Sequence, residues 1–240
     1  MLALYHFGPV ANSLTPLLCL IEKGLAFEDR FLSSRRWEHH DPKFLALNPE
    51  GIVPVLVHEG AVITESTVIN EYLEDVFPQV SLRPDDPVLR AQMRVWTKYV
   101  DEFFCPALTI LGAHGAVPFA AQIGKAEMSA LLDRMPNPDV RRKWEIVSNQ
   151  GYTNDALDDA RAKLGHVVKK AELQLGHGKA WLLGEQYSLA DIKFYSMAAA
   201  LERVMPDICN DTASPALVEW LRRIAARDAV QTMRGKIYTK

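Results

Sequence analysis

Short apolar runs typical of β-strands occur only in the first 78 residues of the chain. Two of these runs, residues 2–7 and 27–32, flank a stretch at 14–23 that carries apolar residues at helical spacing. Gly24 follows that stretch as a stop signal. A strand, a crossover helix and a second strand are most simply parallel, so the pattern predicts a right-handed βαβ unit.

Two further strand-like runs, residues 53–57 and 61–64, follow a polar stretch. Only His58-Glu59-Gly60 separates them, and three residues containing glycine between two β runs predict a hairpin. Residues 67–77 then return to amphipathic helical spacing. With an irregular or helical connection before the hairpin, the order is βαβαββα. This order predicts a thioredoxin-like α+β domain over residues 1–78.

Residues 79–87 are polar and carry two prolines and Asp85-Asp86, which predicts an interdomain linker. Everything beyond, residues 88–240, has helical periodicity. We therefore expect two domains, of which the second is all-α.

Within the second half, residues 88–113 predict one long helix that bends at Pro106, and residues 114–150 are less periodic. Residues 152–175 predict a long charged helix, and residues 215–227 the last clear one. The best-capped helix begins at Ser188-Leu-Ala-Asp191, which has the sequence of a capping box.

Charge and cysteine content restrict the partners. The 27 basic and 30 acidic residues give a net charge of −3 and are spread along the chain, so nucleic acid is not an expected partner.

We find neither a basic, apolar leader nor an apolar run of the ~18 residues that a membrane span needs. The three cysteines fit neither a zinc site nor a disulfide framework and are typical of a reducing compartment. We expect a cytoplasmic protein.

Pro54 opens a predicted strand at a tight entry, where a cis peptide bond is common. A cis bond would turn the backbone N–H and C=O of Val53 outward, so that an extended peptide could pair with them. The alternative is a trans proline that begins an edge strand.

Glu65 and Ser66 lie where the second hairpin strand runs into a helix, whose N-terminal amides and dipole attract an anion. Ser66 and the amides could bind a carboxylate while Glu65 meets an ammonium, which together describe an α-amino acid headgroup. The alternative is that Ser66 only caps the helix.

Asn12 and Ser13 lie in the connection between the first strand and the first helix. In open α/β sheets, ligands bind at this carboxyl end of the strands. A side chain here could hydrogen-bond a thiol, with the helix dipole favouring thiolate. Helix capping is again the alternative. His39 and His40 could supply a donor for a second carboxylate, and a solvated surface pair is the alternative there.

Taken together, these residues resemble the cytosolic glutathione S-transferase superfamily over essentially the whole chain. The matching stretches are Tyr5-His-Phe-Gly-Pro-Val-Ala-Asn-Ser13, Asn48-Pro-Glu-Gly-Ile-Val-Pro54, Thr64-Glu-Ser-Thr67 with Ile69-Asn-Glu-Tyr-Leu73, and Tyr187-Ser-Leu-Ala-Asp191. Residues 7–16, 64–78 and 93–105 are similar to the glutathione-dependent β-aryl ether-cleaving enzymes (β-etherases) of lignin-degrading bacteria. The segment 112–160 fits the enlarged helical domain of that group.

The resemblance implies a glutathione S-transferase fold, with glutathione as co-substrate and no metal. It implies that Ser13, with Asn12 beside it, contacts the thiol. The other implied glutathione contacts are the backbone of Val53, a cis Pro54, Glu65 and Ser66 at the γ-glutamyl group, and His40 at the glycyl carboxylate.

Two positions qualify these assignments. Ile52 stands where many relatives have a polar residue, so one contact to the glycyl end is absent. Tyr5 is a rival for the thiol contact, because some classes use a tyrosine at the end of this strand. Neither Tyr5 nor Ser13 is a cysteine, which argues against glutaredoxin-like disulfide chemistry.

The implied reaction is displacement of a phenolate from the β-carbon of an α-keto β-aryl ether by glutathione thiolate. A general glutathione transferase, a dehalogenase and a noncatalytic binding module remain alternatives. The resemblance also implies a homodimer and a hydrophobic substrate pocket in the helical domain. Candidate acceptor-site residues, which flank the thiol or lie on the long helix after the linker, are Phe7, Pro9, Tyr99, Phe103 and Phe104.

Overall fold

The computed structural model describes residues 1–176, 178–236 and 238. The strands of its sheet are β1 (Leu2–His6), β2 (Glu28–Phe31), β3 (Val55–His58) and β4 (Ala61–Ile63). Their order is β2-β1-β3-β4, with β1 parallel to β2 and antiparallel to β3, and β4 antiparallel to β3. The predicted βαβ unit and hairpin are therefore confirmed. Glu59 and Gly60, with φ of 50° and 86°, form the turn, and positive φ at both positions is what a type I′ hairpin turn requires.

The helices associated with the sheet are α1 (Ala11–Glu22), α2 (Pro42–Leu45) and α3 (Ser66–Val76). Those of the second half are α4 (Pro87–Tyr99), α5 (Cys105–His114), α6 (Val117–Ala120), α7 (Lys125–Asp133), α8 (Pro138–Ser148), α9 (Asn154–Leu175), α10 (Leu189–Ala198), α11 (Leu201–Val204), α12 (Pro215–Ala225) and α13 (Asp228–Arg234). The thioredoxin-like arrangement followed by helices is thus confirmed. In the described ranges, no helix combines the length and apolar character needed to cross a membrane.

Helix α1 joins the two halves of the molecule. Every residue from 13 to 20 is buried, because α1 packs against α3 on the sheet side and against α10 and α13 of the second half. A helix that is apolar on all sides has to be enclosed in this way. One core cluster consequently contains both Leu17 of α1 and Phe194 of α10.

The segment after the linker differs from the prediction of one helix bent at Pro106. A π-helical turn, Val100–Phe104, separates α4 from α5 and lies just before the proline. Pro106 has no N–H to donate to the carbonyl four residues earlier, so the backbone there is released to form the wider turn. The turn changes the direction of every side chain beyond Tyr99.

The segment 114–150 is more helical than its weak periodicity indicates. Its prolines stand near helix starts: Pro118 lies in the first turn of α6, and Pro138 is the first residue of α8, whose cap is the Asn137 side chain. Proline suits these positions because the first N–H groups of a helix have no internal partner. A further short helix, α13, follows the predicted last one.

The predicted capping box at the start of α10 is confirmed. Its acidic residue, Asp191, also connects α10 to other parts of the helical half. The buried Asp191 carboxylate accepts hydrogen bonds from the backbone N–H groups of Leu182 (2.9 Å) and Ser188 (3.0 Å), and from Trp220 Nε1 (3.0 Å). Burial raises the pKa of Asp191 to about 6. These bonds tie α10 to α12 and hold the residues of α10 in place.

Candidate active site

The β1–α1 connection carries the two residues expected at the thiol. Helix α1 begins at Ala11, and its cap residue, Val10, offers no side-chain hydrogen bond. Asn12 and Ser13 are therefore the second and third helical residues, and the alternative that they cap the helix is wrong. The buried Ser13 Oγ accepts a hydrogen bond from the Phe7 backbone N–H at 3.1 Å.

Asn12 is half-buried and its amide has two different neighbours. The oxygen Oδ1 accepts from Lys193 Nζ at 3.0 Å, and the nitrogen Nδ2 lies 3.8 Å from Cys105 Sγ. An ammonium can only donate, so the carbonyl oxygen has to face Lys193 and the amide N–H groups face the other way.

The Val53–Pro54 peptide bond is cis, which confirms the expectation for this turn. Both residues are buried, and neither the N–H nor the C=O of Val53 makes a hydrogen bond with any described residue. The loop before them is fixed by Asn48, whose Nδ2 donates to the Ile52 carbonyl at 2.7 Å. The N–H and C=O of Val53 therefore form an unpaired backbone donor and acceptor in a fixed turn.

Glu65 and Ser66 begin α3. Glu65 is exposed, has φ 65°, and makes no side-chain cap bond. Ser66 is the first residue of the helix and is buried, and its Oγ accepts from Lys193 Nζ at 2.9 Å. Neither residue caps α3 with its side chain, so the capping alternative does not explain them. Beside them, Thr67 Oγ1 donates to Asp101 Oδ2 at 2.6 Å.

His39 and His40 are not a solvated surface pair. Only 7% of His39 and 2% of His40 is exposed, and both rings lie within 6.0 Å of the Trp37 ring. Burial, reinforced by His40 and Lys143, lowers the pKa of His39 to about 3, and burial also lowers the pKa of His40. Nδ1 and Nε2 of His40 have no hydrogen-bond partner among the described residues. The ring is neutral, and the described part of the chain encloses both of its nitrogens without a partner.

Phe7 and Pro9 flank Ser13 and are half-buried. The Phe7 ring meets the His39 ring edge-on at 4.9 Å. Tyr5 packs instead against Phe44 of α2, in a cluster separate from the core that contains α1. The same cluster contains Phe7 and Val53, so the choice of Ser13 over Tyr5 for the thiol contact stays a prediction.

The other three aromatic candidates lie at the end of α4 and in the π-helical turn. Tyr99 stacks on Phe103 at 5.2 Å, and Phe103 meets His166 of α9 at 5.7 Å. Phe104 is completely buried against Phe194. The π-helical turn directs these rings towards α9 and α10, while Asp101 and Cys105 of the same segment face Asn12 and the start of α3. Phe104 is therefore a core residue and cannot line the acceptor site, whereas the assignment of Tyr99 and Phe103 to that site stays a prediction.

Sequence reasoning missed the residues that the helical half contributes, namely Lys193, Asp101, Cys105 and Lys143. Lys193 had a signal: a single lysine among the apolar residues of α10 has to be paired, because an unpaired buried charge is very costly. Lys143 of α8 is half-buried, burial lowers its pKa, and its charge lowers the pKa of both His39 and His40. It brings a positive charge close to the histidine pair.

Comparison with known proteins agrees with this geometry. The glutathione S-transferase N-terminal domain matches residues 1–75, and the C-terminal domain matches residues 135–228. Protein LigF of Sphingobium sp. (strain NBRC 103272 / SYK-6) is 44% identical over 242 residues, covering 98% of this chain and 93% of LigF. The crystal structure of beta-etherase LigF from Sphingobium sp. strain SYK-6 has a TM-score of 0.94 at 43% identity, covering 97% of this chain and 98% of the other.

Glutathione S-transferase F14 of Arabidopsis thaliana is 30% identical over 192 residues, which span 78% of this chain and 64% of the plant protein. The family as a whole uses glutathione. The chain thus has a sheet-containing half with an unpaired backbone at a cis-proline, followed by a helical half. It is also similar to LigF over nearly its full length. This chain belongs to the glutathione S-transferase family and has its fold.

Proposed function

We propose that this protein is a glutathione-dependent β-etherase. Glutathione thiolate attacks the β-carbon of an α-keto β-aryl ether, a C–S bond forms as the C–O bond breaks, and the electron pair leaves on a phenolate. The single observation that carries this proposal is the similarity to LigF over nearly the full length of both chains. The adjacent ketone activates the attacked carbon, and a phenolate is a tolerable leaving group.

The site has the features that an extended γ-glutamyl tripeptide needs. The free N–H and C=O of Val53, beside Pro54, can pair with the cysteinyl backbone by strand addition. His40 would contact the glycyl carboxylate through its unpaired ring nitrogens, which neighbouring side chains have to uncover first. Ile52, exposed and apolar, offers that carboxylate no side-chain hydrogen bond.

At the opposite end, Glu65 and Ser66 would hold the γ-glutamyl headgroup. The exposed Glu65 carboxylate can pair with its ammonium, and Ser66 and the first N–H groups of α3 can bind its carboxylate. These are charge-assisted contacts, which are stronger than neutral hydrogen bonds.

Ser13 and Asn12 would hold the sulfur as thiolate through O–H and N–H donors. Lowering a thiol pKa from ~8.5 to ~6.5 takes about 2.7 kcal/mol and raises the thiolate fraction at pH 7 from ~3% to ~75%. The accompanying loss of nucleophilicity cancels roughly eightfold of that ~25-fold gain, so the net is about threefold. Positioning of the two reactants then has to supply most of the acceleration.

The acceptor would lie between the two halves, with residues 1–78 holding glutathione, 79–87 linking, and 88–240 supplying most of the pocket. Phe7 and Pro9 flank the sulfur position on one side, and Cys105 and Lys143 approach it from the helical half. The pocket is therefore partly apolar, with two cations, Arg134 and Lys143, near the histidine pair.

We also propose a cytoplasmic homodimer. Glutathione chemistry suits a reducing compartment, and Cys19, Cys105 and Cys209 are all free thiols. Exposed valines support a dimer: Val68 of α3 is 54% exposed and Val95 of α4 is 63% exposed. The Arg94–Glu71 ion pair links these two helices. Sedimentation of the wild type against a Val68→Asp/Val95→Asp variant tests the dimer, which the variant should dissociate.

The decisive experiment incubates the protein and glutathione with an α-keto β-aryl ether and, separately, with a generic aryl halide. Release of phenol together with an equal amount of thioether supports the etherase. Conjugation of the halide alone indicates a general transferase, and binding of glutathione without either reaction indicates a binding module. S-methylglutathione, which has no free thiol, is the control and should give no phenol.

A further inference from the structure

Lys193 is a buried ammonium whose hydrogen bonds are all directed at the site. The residue is 1% exposed, yet its Nζ lies 3.0 Å from Asn12 Oδ1, 2.9 Å from Ser66 Oγ and 2.6 Å from Asp101 Oδ1. An ammonium has three N–H donors, so these three acceptors use them all. The acceptors come from α1, α3 and the π-helical turn, and the lysine itself from α10.

The bond to Asn12 decides which way its amide points. Because Lys193 occupies Oδ1, Nδ2 has to lie on the far side, where its neighbour is the weak acceptor Cys105 Sγ at 3.8 Å. One amide N–H is thus directed at Cys105, and the other is available where the thiol is expected. Without the lysine, the amide could turn and present its oxygen, which would repel a thiolate.

The bond to Ser66 has a parallel effect. Its Oγ already accepts from Lys193, and an ammonium has no lone pair to receive the hydroxyl proton. The Ser66 O–H is therefore directed away from the lysine and is available to a carboxylate.

The charge of Lys193 is locally balanced. Asp101 pairs with it at 2.6 Å, and the other carboxylate oxygen of Asp101 accepts from Thr67 at 2.6 Å. A neutralised ion pair has little long-range field. The influence of Lys193 on a bound thiol is thus exerted by orienting Asn12 and not by its own charge.

We propose that Lys193 is a positioning residue for glutathione, which fixes Asn12 as the N–H donor to the sulfur and Ser66 as the O–H donor to the γ-glutamyl carboxylate. This inference rests on the proposed function. A residue of the helical half thereby links the two ends of the glutathione site, the thiol end at Asn12 and the γ-glutamyl end at Ser66.

The test replaces the ammonium by a side chain of similar length, Lys193→Met. Ultraviolet absorbance of the thiolate, followed against pH with glutathione bound, gives the thiol pKa, and calorimetry gives the Kd. We expect the pKa of the bound thiol to rise by about one unit. We expect glutathione to bind about tenfold more weakly. An unchanged thiol pKa would overturn the inference.

A double-mutant cycle separates orientation from direct electrostatics. In an Asn12→Ala background, Lys193→Met should produce no further rise in the thiol pKa, because the residue through which it acts is gone. Additive shifts would mean that the lysine acts on the sulfur by its charge, and the assignment would be wrong. If Lys193→Met does not fold, Lys193→Gln replaces it in the same cycle. Glutamine keeps amide N–H donors, so the thiol pKa should rise by less than the shift of about one unit expected for Lys193→Met.

Lys23 is the matched control. It is also buried and bonds to Glu74 and to the Val80 carbonyl, both at 2.6 Å, away from the site. Lys23→Met should lower the thermal unfolding temperature more than Lys193→Met, because Glu74 is 1% exposed while the Asp101 side chain is 39% exposed. It should leave the thiol pKa unchanged, and an equal shift in both variants would reduce Lys193 to a structural role. A wild type that fails to bind glutathione would instead refute the proposed function.

Discussion

The Ser13 hydroxyl oxygen accepts a hydrogen bond from the backbone N–H of Phe7 at 3.1 Å. That bond occupies a lone pair of Oγ and leaves the hydroxyl proton free to be donated. It also holds the oxygen at the start of α1, where the helix dipole favours an anion. The serine is therefore oriented as a hydrogen-bond donor before any ligand arrives.

Ser13→Ala should reduce kcat for ether cleavage between about threefold and thirtyfold while glutathione still binds. The loss is limited because Asn12 also donates to the sulfur and because positioning supplies most of the rate. Steady-state kinetics at saturating glutathione measure it. Thr15→Val is the control, since it removes another buried hydroxyl of α1 that has no hydrogen-bond partner among the described residues. A loss above about 10³-fold with binding intact would show that thiol activation dominates.

Glu65→Gln should weaken glutathione binding by about 10- to 100-fold, because it removes one charge-assisted bond to the γ-glutamyl ammonium. Folding should be little affected, since Glu65 is exposed and makes no cap bond. Glu59→Gln is a close control: this glutamate is likewise exposed and has positive φ, but lies in the β3–β4 turn. Calorimetry compares the two variants, and equal Kd values would refute the assignment of Glu65.

Features set by neighbouring residues could be read from the sequence. The hairpin follows from the glycine-containing turn at residues 58–60, and the α10 cap from the four residues Ser188 to Asp191. Each depends on a few adjacent side chains and their backbone preferences, which are visible without a fold.

Features set by distant residues could not be read in this way. Asn12 and Lys193 are separated by 181 positions, and only the packing of α1 against α10 brings them together. The directions of Tyr99 and Phe103 depend on a π-helical turn that helical periodicity does not reveal. The burial of His39 and His40 depends on Trp37, held in turn by Trp144 of α8. Contacts between the two halves of the molecule could therefore not be predicted from the sequence.

Stability should fall as the pH drops below about 6.5, and His39 should account for a definite part of the loss. Its pKa is lowered from 6.5 to about 3 in the folded protein, so between these values the unfolded state binds a proton that the folded state does not. At pH 5 this amounts to about 2 kcal/mol of lost stability. In His39→Gln, the decrease in unfolding free energy between pH 7.5 and pH 5 should be smaller by that amount. Urea unfolding measures both values for each protein, so packing costs cancel, and an unchanged decrease would contradict the burial of this ring.

Asp191→Asn should destabilise the protein by about 3 kcal/mol, although it removes no atom from the core. The carboxylate receives donors from the backbone of Leu182 and Ser188 and from Trp220 Nε1. Because burial raises its pKa only to about 6, it is mostly ionised at pH 7 and accepts all of them. An amide has one accepting oxygen, and its NH₂ group would face a donor, leaving buried N–H groups unpaired. Urea unfolding followed by tryptophan fluorescence measures the change, with Asp228→Asn, an exposed acid in the first turn of α13, as the control expected to stay within about 0.5 kcal/mol of wild type. Equal stabilities of the two variants would mean that the bonds of Asp191 do not hold α10 in place.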